Sequence, residues 1–177
     1  MQIRPERIEF GLPAVLSLGS NLGDREATIR AAVTAIAALN GVTLLKASTL
    51  VETPALKPHG VDEDAPSYLN AVVIVRTVLS PQSLLNAVNA IEIANGRVRD
   101  ERWGDRTLDI DIVNFASFTL STDTLTLPHP GAASRAFVLQ PWLEIEPNAT
   151  LPGLGRVDAL LADLTDAVFP YESEPLA

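Results

Sequence analysis

The stretch YLNAVVIVRTV, from Tyr68 to Val78, is the strongest strand signal in the sequence. Valine and isoleucine dominate it, and β-branched side chains favour extended backbone. Because alternate residues of a strand point to the same face, Tyr68 and Asn70 share a face. A flat ring beside an amide that donates and accepts hydrogen bonds suits the recognition of a planar heterocycle. The simpler interpretation, which these residues alone favour, is a half-buried tyrosine beside a surface asparagine.

Three elements are predicted before this strand. AVLSLG, from Ala14 to Gly19, is a short apolar strand that ends in turn-forming residues. Asp24 caps a helix that ends at Asn40–Gly41, and Asn21 takes the left-handed conformation of the tight turn before it. A second strand follows from Val42 to Glu52.

The connection from Thr53 to Pro66 contains proline and glycine. It is long for a segment without regular structure. Loops of this kind are often functional, so a functional role is expected here.

A second helix and a fourth strand are predicted after Val78. Pro81 starts the helix, which ends near Asn95–Gly96, and the strand runs from Thr107 to Ala116. This order is that of an α+β, ferredoxin-like βαββαβ unit, whose helices we expect to cover one face of a mainly antiparallel sheet. A further short strand, a helical turn and a terminal helix from Val157 to Asp166 complete the prediction.

The length of the chain indicates one domain. Its 177 residues are enough to bury roughly 70% of the unfolded surface around a single core. We therefore expect a single domain over residues 1–177, with flexible tails at 1–12 and 168–177.

Composition restricts the classes of partner. The formal net charge is −9, which argues against nucleic acid because such binding uses an extended basic surface. There is no cysteine, so disulfides and thiolate chemistry are excluded and any metal ligands must be oxygen or nitrogen. No apolar run approaches the roughly 18 residues that span a bilayer, and the start lacks signal-peptide character, so we expect a cytoplasmic protein without a membrane partner.

Basic groups are nevertheless concentrated in GRVRDERWGDR. A guanidinium donates paired hydrogen bonds to phosphate and keeps its proton, so the cluster predicts an anionic ligand. The alternative is a solvated loop in which the arginines neutralise neighbouring acids. Trp103 counts against that alternative, since an indole in a polar loop is better explained if it closes over a ligand. The arginines are Arg97, Arg99, Arg102 and Arg106.

Asp109 and Asp111 lie on the fourth strand and point away from Leu108, Ile110 and Ile112. Carboxylates at such positions emerge roughly 7 Å apart, so both can converge on two Mg²⁺ ions about 3.5–4 Å apart. Mg²⁺ prefers oxygen ligands and takes the others from water and phosphate. Taken alone, the pair could equally neutralise arginines on a solvated sheet face.

His129 lies between two prolines in a rigid segment. With two histidines in the chain a His-based metal site is not expected, so His129 is either a donor to phosphate or an exposed loop residue. Arg135 and Phe137 again combine a cation with an aromatic ring. Glu92, near the end of the second helix, could be a surface charge.

Seven segments, in order, resemble the 6-hydroxymethyl-7,8-dihydropterin pyrophosphokinase family from about Ala14 to Pro147. The resemblance implies transfer of diphosphate from ATP to the hydroxymethyl group of 6-hydroxymethyl-7,8-dihydropterin, which yields AMP and the pterin diphosphate in folate biosynthesis. It implies two Mg²⁺ ions, and we expect a monomer. The segments are GSNLGD, ETPAL, PSYLNAV, IEIANGRVR, RWGDRTLDIDIV, LTLPHP and RAFVLQPWLEIEP.

The resemblance also implies a role for each site residue. Tyr68 and Phe137 would stack on the two faces of the pterin, and Asn70 would bind its amide edge. The full pterin set would be Thr53, Leu56, Tyr68, Asn70, Trp103 and Phe137. The nucleotide and phosphate side would be lined by Glu92, Arg99, His129 and Arg135. The residues expected to act in the transfer are Arg97, Arg106, Asp109 and Asp111, of which the two aspartates would hold the Mg²⁺.

Two residues depart from the family pattern, and two other functions are alternatives to the one that the resemblance implies. Asp105 stands where the family usually has proline, and Pro130 where some members have an aromatic residue. A nucleotide-sugar transferase with an Asp-x-Asp metal site is disfavoured by the single small domain. A noncatalytic ferredoxin-like binding module predicts no release of AMP.

Overall fold

The computed structural model describes residues 10–57, 59–96 and 107–177. Within these ranges no helix is both long enough and apolar enough to cross a membrane. In chain order the elements are β1 (Leu12–Ser20), α1 (Arg25–Ala37), β2 (Val42–Ala47), β3 (Val51–Thr53), β4 (Ala55–Lys57), β5 (Gly60–Asp62), β6 (Tyr68–Thr77), α2 (Pro81–Ala94), β7 (Asp109–Phe115), β8 (Leu120–Ser121), β9 (Thr126–Leu127), a 3₁₀ turn (Ala132–Ser134), α3 (Ala136–Ile145), β10 (Thr150–Leu151), β11 (Gly155–Arg156), α4 (Val157–Ala162) and β12 (Phe169–Pro170).

β6 is the central strand of the main antiparallel sheet. It pairs with β1 on one side, and with β2 and then β3 on the other. β7 pairs with the far side of β1, and β12 with the far side of β3. The β-branched run that begins at Tyr68 explains the central position of β6, because a central strand is buried on both faces and favours such residues. The predicted βαββαβ order is confirmed.

Helices cover both faces of the sheet, whereas the sequence predicted them on one face. On the first face, α1 and α2 pack against strand residues such as Leu16 and Val73. On the second face, α3 and α4 pack against residues such as Val15 and Val72. Neighbouring residues of a strand alternate between faces, so the continuous apolar run 71–75 supplies side chains to both. The uninterrupted apolar run is therefore the sequence feature from which helices on both faces could have been predicted.

Both predicted helix starts are confirmed. Asp24 Oδ1 accepts a hydrogen bond of 3.0 Å from the amide of Ala27 at the start of α1. Ser80 Oγ accepts one of 3.1 Å from the amide of Ser83, and Pro81 is the first residue of α2. Each cap satisfies an amide that has no partner within its own helix.

The turn before α1 differs from the prediction. The left-handed backbone lies at Gly23, with φ of +68°, and not at Asn21, because glycine adopts this conformation without a steric penalty. Asn21 is instead buried. The helix ends at Ala37, ahead of the predicted Asn40–Gly41.

The predicted strand from Val42 to Glu52 is interrupted at Ser48. The Ser48 amide donates to the carbonyl of Val72, and Ser48 Oγ accepts from the amide of Val72, both at 2.9 Å. The side chain thus replaces a backbone partner where the chain leaves the regular ladder. This separates β2 from β3 while both stay on β6.

The connection after β3 contains a small hairpin, although the sequence predicted no regular structure there. β4 and β5 pair with each other, and Gly60 has a φ of +114°, which few other residues tolerate. Asp62 Oδ1 then accepts hydrogen bonds from the amides of Asp64 and Ala65 at 3.1 and 3.2 Å. Strands this short leave too few alternating positions for a pattern to be visible in the sequence.

Where a helical turn was predicted between Leu125 and Pro147, the structure has the 3₁₀ turn and the ten-residue helix α3. The terminal helix α4 is shorter than predicted, since it ends at Ala162. Asp166 lies beyond it, and its Oδ2 accepts a hydrogen bond of 3.2 Å from the amide of Ala136 at the start of α3. Asp166 therefore supports the N-terminus of the neighbouring helix and does not extend α4.

Residues 168–177, for which the sequence predicted a flexible tail, pack against the sheet and α1. β12 pairs with β3, and the amide of Tyr171 donates to the carbonyl of Leu50 at 3.2 Å. Tyr171 and Leu176 pack on the core of the first face. The guanidinium of Arg30 donates to two carbonyls of this segment at 2.6 and 2.9 Å. Pairing through backbone at a sheet edge needs no side-chain pattern, so the sequence held no signal for it.

A flexible tail was also predicted at the N-terminus, over residues 1–12. The first strand, β1, begins at Leu12, which is the last residue of that segment.

Deletion of residues 168–177 should lower the free energy of unfolding by about 1–3 kcal/mol, because it removes the β12 pairing and the packing of Tyr171 and Leu176. Urea denaturation of the two chains measures the difference. Ser173→Ala is the matched control, since the described contact of that side chain is with the neighbouring carbonyl of Glu174. Equal stability of the shortened and full chains would contradict the packing described for this segment.

Candidate active site

The polar residues singled out in the sequence meet at one end of the second face. The register places Asn70, Gly19 and Asp109 in one row across β6, β1 and β7. Asp111 lies in the next row, opposite Ser17. Alternation along the strands assigns these residues to the same face as the buried Val72, which belongs to the second-face core. We call this region the polar end of the sheet.

Asp109 and Asp111 are half-buried on β7, whereas Leu108, Ile110 and Ile112 are buried in the first-face core. The alternation predicted for this strand is therefore confirmed. Both carboxylates therefore lie on the second face of the sheet. The apolar partners behind them hold the strand in place.

Glu92 supports this strand from α2. Its Oε1 accepts a hydrogen bond of 2.7 Å from the amide of Ile110, the residue between the two aspartates. β7 is the last strand of the sheet, so the carboxylate takes the place of a neighbouring strand at this amide. Glu92 was expected on the nucleotide side. The structure gives it a contact within the protein, and its exposed fraction is 1%.

Gly19 allows the Asn70 amide to lie close to the backbone of β1. An ideal Cβ at Gly19 would lie 3.0 Å from Asn70 Oδ1 and 3.7 Å from Tyr68 Cδ1. Gly19 lies within β1, so what the glycine contributes here is the missing side chain. GSNLGD was predicted to form a turn, and this role of Gly19 was not predicted. A glycine at the end of an apolar strand, where a ligand can approach the backbone, was the available signal.

Thr53 and Asn70 are joined by a buried hydrogen bond. Asn70 Nδ2 donates to Thr53 Oγ1 at 3.0 Å, and both residues are buried. The bond fixes the plane of the amide, so Oδ1 is held beside Gly19. Tyr68 lies opposite Thr53 in the pairing of β3 with β6. The structure thus brings together three of the residues predicted to bind a planar ring.

His129 and Arg135 converge on Asp111. His129 Nε2 lies 3.7 Å and Arg135 Nη1 3.9 Å from Asp111 Oδ2. These distances are longer than hydrogen bonds, so the groups are neighbours. His129 Nδ1 accepts a hydrogen bond of 3.0 Å from the amide of Gly131, so a neutral ring carries its proton on Nε2, the atom nearer the carboxylate. Two donors therefore lie beside Asp111.

The backbone around these donors sets their positions. The His129 amide donates to the carbonyl of Val113 at 2.9 Å, which ties the segment to β7. An ideal Cβ at Gly131 would lie 2.9 Å from Arg135 Cζ, so glycine allows the guanidinium to lie against the chain. Arg135 Cζ is 6.0 Å from the centre of the Phe137 ring. Phe137 lies in the first turn of α3, on the side of the sheet that carries Tyr68.

The carboxylate pair fits a hard divalent cation. It supplies oxygen donors that are partly exposed and stand beside groups suited to phosphate. In the part of the chain that the structure describes, no three Asp, Glu, His or Cys residues form a cluster that could hold a metal. Mg²⁺ in proteins commonly has one or two carboxylate ligands and completes its shell with water and substrate phosphates.

Part of the predicted site lies outside the described residues. This applies to the whole arginine cluster, so the roles expected for Arg97, Arg99, Trp103 and Arg106 stay predictions. Leu56 lies in β4, where its backbone pairs with Val61.

Solved structures share the fold. A crystal structure of a Plasmodium falciparum HPPK-DHPS triple mutant superimposes with a TM-score of 0.68 over 89% of this chain, at 17% identity. The chain spans 45% of the length of that protein. A second HPPK-DHPS structure, solved in complex with substrates, gives a TM-score of 0.67 over 86% of this chain. At such identities the likeness concerns the fold, and it confirms the predicted ferredoxin-like α+β class.

Sequence comparison identifies the family. Two curated relatives are named 2-amino-4-hydroxy-6-hydroxymethyldihydropteridine pyrophosphokinase. The one from Methylorubrum extorquens is 42% identical over 140 residues, which make up 79% of this chain and 86% of the relative. The one from Haemophilus influenzae is 36% identical over 155 residues, or 88% and 94% of the two chains. A family model matches residues 15–147, the stretch that holds Gly19, the aspartate pair and Phe137. The chain therefore belongs to the 7,8-dihydro-6-hydroxymethylpterin-pyrophosphokinase (HPPK) family.

Proposed function

We propose that the polar end of the sheet is where this chain transfers diphosphate from ATP to the hydroxymethyl group of 6-hydroxymethyl-7,8-dihydropterin. As a member of the HPPK family the chain is an ATP-dependent diphosphokinase of folate biosynthesis, and its products are AMP and the pterin diphosphate. The observation that carries the assignment to this site is the row formed by Asn70, Gly19 and Asp109. It places an amide, a glycine and a carboxylate in line across three adjacent strands.

The dimensions of this row suit a bicyclic ring with a phosphate beyond it. Neighbouring strands lie about 4.8 Å apart, so Asn70 and Asp109, with β1 between them, are about 10 Å apart. The amide held by Thr53 would bind the edge of the pterin. The ring would lie over Gly19, which carries no side chain, and its hydroxymethyl group would then point towards the carboxylates.

Aromatic side chains would hold the two faces of the ring. Tyr68 is half-buried at the start of β6, and Phe137 is half-buried at the start of α3. Aromatic rings stack on a planar heterocycle and exclude water from it. We assign Leu56, through its backbone in β4, to the rim of the same pocket.

The phosphates would lie beside His129 and Arg135. Both residues present N–H donors next to Asp111, where negative charge alone would repel a polyphosphate. The guanidinium is always charged and can donate to two oxygens at once. Glu92 would act on the nucleotide side indirectly, since it holds the strand that carries the aspartates.

Asp109 and Asp111 would hold the metal, and we propose two Mg²⁺ ions. When bound, such ions neutralise the phosphate oxygens and align the transferring group. The two carboxylates stand on one strand face and Glu92 fixes the amide between them, so their separation is set by β7.

The roles of the arginine cluster in this proposal rest on the sequence alone. Arg97 and Arg106 would stabilise charge during transfer, Arg99 would contact the nucleotide, and Trp103 would close over the pterin. Phosphoryl transfer requires alignment and electrostatic stabilisation and does not need a covalent nucleophile from the protein. We further propose that the chain acts as a cytoplasmic monomer on two small molecules, without a nucleic-acid or membrane partner.

The direct test incubates the chain with ATP, Mg²⁺ and 6-hydroxymethyl-7,8-dihydropterin and quantifies AMP and the pterin diphosphate. AMP should appear in equal amount to the pterin product. Formation of ADP in place of AMP, or no nucleotide product, would contradict the reaction. Protection from melting by nucleotide sugars but not by ATP would favour the nucleotide-sugar transferase.

Asp109→Asn and Asp111→Asn should each lower kcat by about 100-fold or more, because a neutral amide oxygen binds Mg²⁺ much more weakly than a carboxylate does. Both chains should remain folded, since the two side chains lie outside the cores. Asp123→Asn, in an exposed turn, is the matched control. Normal turnover in the two variants would rule out the metal role; steady-state kinetics and thermal melting make the comparison.

Thr53→Val tests the bond that orients Asn70. We expect the KM for the pterin to rise about 5- to 10-fold, or about 1–1.4 kcal/mol, because the amide loses its buried partner. The KM for ATP should stay within about twofold of the original, since Thr53 lies on the opposite side of Asn70 from the carboxylates. Thr124→Val makes the same chemical change at an exposed threonine whose hydroxyl donates to Gln82. A pterin KM that does not respond to Thr53→Val would remove Asn70 from the pterin site.

A further inference from the structure

One cation holds both ends of the connection between β3 and β6. Nη1 of Arg25 lies 2.7 Å from Glu52 Oε2, 2.8 Å from the Ser67 carbonyl oxygen and 2.9 Å from Ser67 Oγ. Glu52 belongs to β3, and Ser67 immediately precedes β6. The hairpin of β4 and β5 lies between them in the chain. The Arg25 guanidinium therefore closes this connection at its base.

Helix stability does not explain the position of Arg25. It is the first residue of α1, where the helix dipole is positive and disfavours a cation. Asp24, as the cap, and Glu26, in the first turn, already satisfy the start of the helix. The side chain is better explained by its partners outside the helix. Asn21, just before the cap, approaches the same connection, with its Nδ2 3.4 Å from the Pro66 carbonyl oxygen.

The partners of Arg25 adjoin two residues of the proposed pterin site. Glu52 precedes Thr53 and Ser67 precedes Tyr68, and these two site residues are opposite each other in the β3–β6 register. Side chains alternate along a strand, so Glu52 points away from the face that carries Thr53. A bond made on that side fixes the backbone of the site without filling the space for a ligand.

The pairing that Arg25 reinforces is short. β3 contacts β6 over three residue pairs, and its other edge carries the two-residue strand β12. The Arg25–Glu52 pair is partly exposed, with 24% and 34% of the side chains accessible, so it alone contributes little to global stability. We expect the Arg25–Glu52 pair to order the neighbouring binding site, because a preorganised site loses less conformational freedom when a ligand binds.

We propose that Arg25 is a positioning residue for the pterin, which holds Thr53 and Tyr68 at their binding distance by joining Glu52 to Ser67. The proposal rests on the proposed function, since it takes Thr53 and Tyr68 as pterin contacts. Arg25 does not touch the ligand in this arrangement. It acts through the two strand ends.

Two substitutions and a control test the positioning role. Arg25→Met keeps the reach of the side chain and removes its charge and donors, whereas Arg25→Lys keeps the charge. We expect the pterin KM to rise about 3- to 10-fold in Arg25→Met, with kcat and the KM for ATP within about twofold of the original, and to be partly restored in Arg25→Lys. Arg30→Met is the matched control: Arg30 lies on the same helix but pairs with Glu26 and the C-terminal segment. Its pterin KM should be unchanged.

A second readout does not depend on activity. Amides of residues 59–67 in the free protein should exchange hydrogen faster in Arg25→Met than in the original chain or in Arg30→Met. Glu52→Gln should raise the pterin KM less when Arg25 is already Met, because the two residues act as one unit.

An unchanged pterin KM in Arg25→Met overturns the proposal. So does a rise in both KM values together with a loss of stability, which would indicate general damage to the fold. Unchanged hydrogen exchange at 59–67 also overturns it. If the original chain releases no AMP with ATP and the pterin, the proposed function fails instead, and the exchange experiment still decides whether Arg25 orders the connection.

Discussion

The antiparallel register of β6, β1 and β7 is the constraint on which the site depends. It places Asn70, Gly19 and Asp109 side by side, although they come from three separate parts of the chain. A slip of β7 by one residue would turn the aspartates into the first-face core and expose Ile110 and Ile112. Buried unpaired carboxylates and exposed isoleucines would both be costly. The apolar packing of the first face therefore fixes the position of the polar groups on the second.

Two parts of the chain contribute different functional groups to the polar end of the sheet. The βαββαβ unit supplies the carboxylate pair, the amide of Asn70 and the glycine beside it, Gly19. The segment that follows β9, together with the start of α3, supplies His129 and Arg135. In a chain of net charge −9, these donors offset the local charge of the aspartates where a polyphosphate would lie. The second face of the sheet thus packs against α3 and also carries the residues of the candidate site.

Much of the fold was predictable because its signals are local. The β-branched run from Tyr68 predicted the strand that became central, and Asp24 and Pro81 predicted two helix starts. The errors share a physical cause. The β4–β5 hairpin, the pairing of β12 and the break at Ser48 are made by backbone hydrogen bonds over a few residues. Bonds of this kind impose no spacing on side chains, and helices on the second face depend on packing between distant segments.

The sequence by itself determined that Asp109 and Asp111 share one face of a strand and that Tyr68 and Asn70 share one face of another, because the two-residue period is a property of the extended backbone. It also indicated the family through the order of its motifs. Only the tertiary structure decided that Asn70 bonds to Thr53 and that His129 and Arg135 stand beside Asp111. It also decided that Glu92 contacts β7 and that Arg25 contacts β3. These contacts join residues far apart in the chain. They follow from strand register and helix packing, which local patterns of residue type do not specify.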